Sequence, residues 1–99
     1  MKVGAKNGGS QSPILADRTR RTLEYALLRL RTSELAPYIK HVYLYGSCAR
    51  KTQTYESDVD LLVELDENTD MEKYRQSIIE LKGTISPVSL ELPDVDMHV

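Results

Sequence analysis

Tyr45-Gly46-Ser47-Cys48-Ala49-Arg50, followed after a polar spacer by Ser57-Asp58-Val59-Asp60-Leu61, is the stretch on which the fold and chemistry of this chain turn. His41 to Tyr45 (His-Val-Tyr-Leu-Tyr) is short, β-branched and aromatic, and is predicted as a strand that Gly46 ends. Ser47 to Lys51 reads as a short helical turn and Thr52 to Ser57 as a polar loop. Asp58 to Leu65 (Asp-Val-Asp-Leu-Leu-Val-Glu-Leu) is predicted as a second strand. Leu61, Leu62 and Val63 follow one another without alternation, which predicts burial on both faces.

Two acids at the mouth of such a strand carry chemical information. Residues i and i+2 of a strand share a face and lie roughly 6.6 Å apart along it. Asp58 and Asp60 can therefore lean over a common cation, and two like charges side by side call for one. Magnesium, a hard ion that favours carboxylate and phosphate oxygens, suits the pair. Taken alone, an Asp-x-Asp at a strand start is more often solvated surface. Gly46 permits a tight turn and close backbone approach. A helical turn from Ser47 offers amides and a positive dipole end to a phosphate, and the Ser47 hydroxyl adds a donor. Taken alone, a Gly-Ser is more often an ordinary capped turn.

Outward from this centre the pattern is helix, strand, strand, helix, strand. Asp17 is predicted to cap a helix running to Ser33 or Leu35, with Leu23, Ala26, Leu27 and Leu30 as its apolar stripe. Its arginines, Arg18, Arg20, Arg21, Arg29 and Arg31, read as a solvated face. Pro37 marks a break. Asp66 to Thr69 is a turn, and Thr69 or Asp70 caps a helix whose inner face is Met71, Tyr74, Ile78 and Leu81, with Gly83 as its stop. Ser86 to Pro93 is irregular, and Val95 to Val99 is a third strand. Residues 1–13, rich in Gly, Ser, Asn and Gln, read as a flexible leader, which leaves 14–99 as one domain. The chain stops inside an apolar strand pattern, an odd place for a native C-terminus, which leaves open whether the native chain continues past Val99.

Composition narrows the function class. A net charge of −2 argues against a surface built wholly for nucleic acid. One cysteine, Cys48, excludes an internal disulfide and suits a reducing cytoplasm. No apolar run approaches the ~20 residues a bilayer span needs. His41 and His98 lack metal-ligand spacing, and Cys48 has no His nearby in sequence, so it reads as a small packed side chain.

Gly46-Ser47 followed by Asp58-Val59-Asp60, with Ser57 and Leu61 at its flanks, resembles the signature of the DNA polymerase β-like nucleotidyltransferases, and more closely that of the minimal nucleotidyltransferases. The resemblance covers about Val42 to Val99. It departs at Lys51, where the family usually carries glycine. It implies an α/β fold with a small mixed sheet of at least three strands and helices packed on it. It also implies a third carboxylate on a later strand in an apolar setting. Asp96, 36 positions after Asp60, is the best match; Glu91 is the rival and Asp94 a weaker third.

What the resemblance implies can be stated residue by residue. Asp58, Asp60 and Asp96 would be catalytic and would ligate magnesium, with two ions about 3.5–4 Å apart. Gly46 and Ser47 would hold the phosphates, and Arg50 matches a position that could add charge there. The expected reaction is transfer of a nucleoside monophosphate, AMP from ATP, to an acceptor hydroxyl. The expected partners are the nucleotide and a small helical protein of the HEPN type, as in toxin–antitoxin pairs, with self-association left open; neither membrane nor nucleic acid is indicated. The competing expectation is a non-catalytic antitoxin that neutralises its partner by contact.

Overall fold

The structure, a computed structural model, describes residues 13–89 and 91–99. All of the predicted leader except Pro13 lies outside them, as does Leu90. Among the described residues the chain forms helix α1 (Pro13–Arg31), a 3-10 turn (Ala36–Tyr38), strand β1 (Ile39–Tyr45), the short helix α2 (Gly46–Arg50), strand β2 (Val59–Leu65), helix α3 (Arg75–Thr84) and strand β3 (Val95–His98). The strands form one mixed sheet in the order β1-β2-β3. β1 runs antiparallel to β2, and β3 runs parallel to it. The expected fold class is the one found.

α1 starts four residues before Asp17, which lies inside the helix and does not cap it. The Asp17 carboxylate instead reaches Arg20 at 2.5 Å and Arg21 at 4.0 Å, the i+3 and i+4 neighbours that a helix places on one face. The buried stripe is also turned from the predicted one: Thr19, Thr22, Ala26 and Leu30 face inward, Leu23 is partly buried, and Leu27 is 36% exposed. The helix stops at Arg31, and Pro37 opens the 3-10 turn that leads into β1.

β2 corrects a second expectation. Val59, Leu61 and Val63 are buried, whereas Leu62 is 40% exposed and Glu64 faces solvent. Among the described residues the helices lie on one face of the sheet. There Ala26 and Leu30 of α1 and Leu81 of α3, with Tyr74 and Ile85, pack on Val59, Leu61, Val63, Val95 and Met97. Each Val, Leu, Ile or Met side chain among them taken fully out of water contributes about 1.5–3 kcal/mol. No described element covers the other face, the open face among the described residues, which His41, Tyr43 and Tyr45 of β1, Asp60 and Leu62 of β2, and Asp96 and His98 of β3 share by strand alternation.

α3 is shorter at its start than expected. Asp70 accepts the Lys73 amide at 3.1 Å in a preceding turn, which leaves Met71 exposed while Tyr74 and Leu81 are buried. Gly83 does not end the helix. Thr84 does, its hydroxyl donating to the Glu80 carbonyl at 3.0 Å while Ile85 anchors the exit in the core. The described residues between α3 and β3 are irregular, within the stretch predicted as irregular or extended, and the Ser86 hydroxyl accepts the Val95 amide at 2.9 Å at the start of β3.

Candidate active site

The C-terminal end of β1 and the N-terminal ends of β2 and β3 meet at one edge of the sheet, because β1 is antiparallel and β3 parallel to β2. Tyr45 registers with Asp60, and Asp60 with Asp96. One row across the open face therefore reads Tyr45, Asp60, Asp96. Asp58, the predicted first residue of the strand, is exposed and lies just outside it, because β2 begins one residue later at Val59. The strand starts are tied by the Val59 amide, which donates to the Asp94 carbonyl at 2.8 Å.

Gly46 turns the chain from β1 into α2 with φ +77. A Cβ at this position would lie 3.2 Å from Asp60 Cγ and closer still to Oδ2, so the turn is packed against the Asp60 carboxylate. Tyr45, the residue before it, is extended and gives α2 no side-chain cap. At the other end of α2, Lys51 takes the left-handed conformation, φ 61 and ψ 34, and its amide points back to the carbonyls of Ser47 and Cys48. The glycine expected at position 51 would meet the same backbone demand without strain. The lysine departure leaves the turn intact.

Under the turn, the Cys48 thiol is buried and donates to the Asp58 carbonyl at 3.5 Å. The Thr19 hydroxyl stands 3.8 Å from the sulfur and accepts Gln53 Nε2 at 3.0 Å. Burial pushes the Cys48 thiol above its ordinary range, the Thr19 hydrogen bond opposes this, and the Asp60 and Asp58 charges add to it. A thiol held neutral in this way is a packing group and not a nucleophile.

The carboxylates have turned to different neighbours. Asp60 leans on Gly46, and Asp96 Oδ2 lies 3.3 Å from His98 Nε2. Among the described residues, no three His, Cys, Asp or Glu side chains stand together as a metal site. The backbones of Asp60 and Asp96 remain adjacent, and the Tyr45 phenol reports it: partial burial first, then the charges of Asp60 and Asp96, push it up. The donor set consists of hard oxygens beside a turn with no room for a side chain. That chemistry fits a divalent cation with phosphate ligands.

The other predicted residues are placed as follows. Ser47 lies in the first turn of α2, and Arg50 is exposed at its last position. Glu91 is exposed in the irregular segment, away from the carboxylate row, and its backbone carbonyl accepts Arg18 Nε at 2.8 Å. Asp94 precedes β3. Asp96 is thus the acid that registers with Asp60. His41 lies at the far end of the open face, 2.8 Å from Glu64. Its hydrogen bond, partly offset by desolvation, lowers the Glu64 carboxyl. Arg18 read in sequence only as part of a solvated face and Thr19 was not singled out, because nothing local in the sequence marks what their side chains reach.

The nucleotidyltransferase domain family matches residues 26–94. A protein of Methanocaldococcus jannaschii, provisionally named a protein adenylyltransferase, is 40% identical over 70 residues, covering 62% of this chain and 70% of that protein. No solved structure matches the chain. The matched span contains Gly46, Ser47, Asp58 and Asp60 and ends two residues before Asp96.

Proposed function

The chain belongs to the nucleotidyltransferase domain family, and from that premise we propose that it transfers AMP from ATP, with Mg²⁺, to a hydroxyl of a protein. Family membership makes it a transferase that takes a nucleoside triphosphate and a divalent metal. The observation that carries the finer reading is the registered row of Asp60 and Asp96, with the Gly46 turn pressed on the Asp60 carboxylate. The name of the archaeal relative supports adenylyl transfer to protein.

Each residue then has a task. The Gly46 and Ser47 amides and the Ser47 hydroxyl bind the β- and γ-phosphates, with Arg50 contributing charge from the end of α2. Asp58, Asp60 and Asp96 are the ligands for the cation. When bound, the cation supplies positive charge to the reacting phosphoryl group and to the attacking and leaving oxygens. The acceptor oxygen forms its bond to the α-phosphorus as the bond to the bridging oxygen breaks and pyrophosphate leaves. Asp96 takes the hydroxyl proton. The protein contributes position and charge and forms no covalent intermediate.

The acceptor in this reading is a small helical HEPN-type protein in the same reducing cytoplasm, which completes the shallow site and is silenced by modification. The chain incubated with α-labelled ATP, Mg²⁺ and that protein is expected to label it, and Asp58→Asn or Asp60→Asn to abolish the label. Absence of label from the intact chain, with tight complex formation that both variants retain, would replace catalysis by neutralisation through contact.

A further inference from the structure

Two loops lead into the carboxylates. Tyr55 precedes Asp58 by three residues, and Glu91 precedes Asp96 by five. They are far apart in sequence, and α1 belongs to neither. Arg18 of α1 reaches both. Its Nε donates to the Glu91 carbonyl at 2.8 Å, and its Nη2 donates to the Tyr55 carbonyl at 3.3 Å. Its guanidinium carbon lies 4.5 Å from the centroid of the Tyr55 ring. Three contacts from one planar group thus set the separation of the two loops.

The next residue extends the same support. Thr19 accepts Gln53 Nε2 and lies against the Cys48 sulfur, which donates to the Asp58 carbonyl. At the inner end of the loops, the Val59 amide donates to the Asp94 carbonyl. Arg18 holds the outer part, where both segments are exposed. Residues 18 and 19 lie outside the matched family span, so their role follows from this chain's own contacts.

We infer that Arg18 is a positioning residue for nucleotidyl transfer: its guanidinium holds the Tyr55 and Glu91 loops at one spacing, so that Asp58 and Asp96 face the same reacting group. This rests on the transfer reading above. The chemistry requires arginine. A planar fork donates in two directions while its face stacks on a ring, whereas an ammonium is a compact point charge. The carbonyl partners give the guanidinium a hold on backbone position; it also lines one cleft with Asp58 and Asp94, and Arg18→Lys, which keeps the charge, separates position from charge. Arg18 touches no reacting atom in this scheme and is not itself catalytic.

The test uses the full chain, Mg²⁺, ATP and the HEPN-type acceptor, with kcat and KM for ATP measured for Arg18→Lys, Arg18→Met and Arg18→Ala. Misplacement of catalytic groups predicts that kcat falls about 10- to 100-fold in all three. KM for ATP should stay within roughly threefold, because the phosphate-binding turn is untouched. Added guanidinium ion at low millimolar concentration should restore part of kcat to Arg18→Ala and none to Asp60→Asn. Amide resonances of residues 55–60, 91, 92 and 94–96 should move together in Arg18→Met, with those of Val42 and Val63 unchanged. Wild-type kcat in Arg18→Lys, or a loss in Arg18→Met that merely follows the unfolded fraction, overturns the inference alone. An intact chain that transfers nothing overturns the transfer reading, and the inference with it.

Discussion

The Asp60 carboxylate occupies the space that a side chain on residue 46 would need. A Cβ there would lie 3.2 Å from Asp60 Cγ, with Oδ2 nearer, and the backbone holds φ +77. Glycine at this turn therefore answers two demands at once, left-handed backbone and close approach of an acid. Gly46→Ala is expected to cost about 1–3 kcal/mol by urea denaturation, from the left-handed strain alone. Added to Asp60→Ala, the same substitution should cost less, with a coupling on the order of 0.5–3 kcal/mol between positions in contact. Additive losses would show that the carboxylate does not press on the turn.

Lys51 carries the opposite mismatch, a bulky residue in a left-handed position. Lys51→Gly should raise stability by about 0.5–1 kcal/mol, the relief of strain exceeding the entropy cost of glycine. A higher urea midpoint at unchanged slope would establish it; Lys51→Val should lower the midpoint.

Asp60 and Asp96 are neighbours in register on parallel strands, and both are negative. Like charges on adjacent strands repel, so Asp60→Asn should stabilise the metal-free protein by about 0.2–1 kcal/mol. The same variant should lose at least about 100-fold in transfer rate if its charge serves the reaction. Thermal melts in chelator, set beside rate measurements, separate a site residue from a structural one. Loss of both stability and activity would mark Asp60 as scaffolding.

Cys48 supplies a pH signature. Burial raises its thiol pKa above the unfolded value. The folded state therefore holds this proton more tightly, so the contribution is complete below the ordinary thiol range and fades as pH rises through the raised folded value. Cys48→Ala should flatten that alkaline decline while leaving transfer at neutral pH within about threefold, as befits a packing residue. Alkylation by iodoacetamide at pH 8 should be slow in the native chain and fast in urea. Rapid native alkylation would contradict the buried, protonated thiol.

Much of the fold was legible because its signals are local. Gly46 and Pro37 interrupt, Asp66 closes a turn by accepting the Asn68 amide at 2.8 Å, and β-branched runs mark the strands. The misreadings share a cause. Asp17 looked like a cap because acidic residues favour helix starts, yet the helix already includes Pro13 to Ala16. Gly83 looked like a stop, yet helix geometry tolerates glycine where Ile85 anchors the exit. Leu61-Leu62-Val63 looked buried on both sides, yet a sheet covered on one face leaves Leu62 in the open. Local pattern reports the preference of a segment; coverage depends on what packs over it.

The sequence by itself determined the element order, the Gly46-Ser47 turn and its distance along the chain from Asp58 and Asp60, because turn chemistry and strand alternation act over a few residues. It left Glu91 and Asp94 beside Asp96, and it made Arg18 one arginine among several. Only the tertiary structure showed which of these acids lies in register with Asp60 and what Arg18 reaches. Parallel pairing of β3 with β2 set Asp96 against Asp60, and the packing of α1 brought Arg18 to the Tyr55 and Glu91 carbonyls. The physical reason is that strand register and helix docking are settled by contacts between residues distant in sequence, which no local pattern encodes.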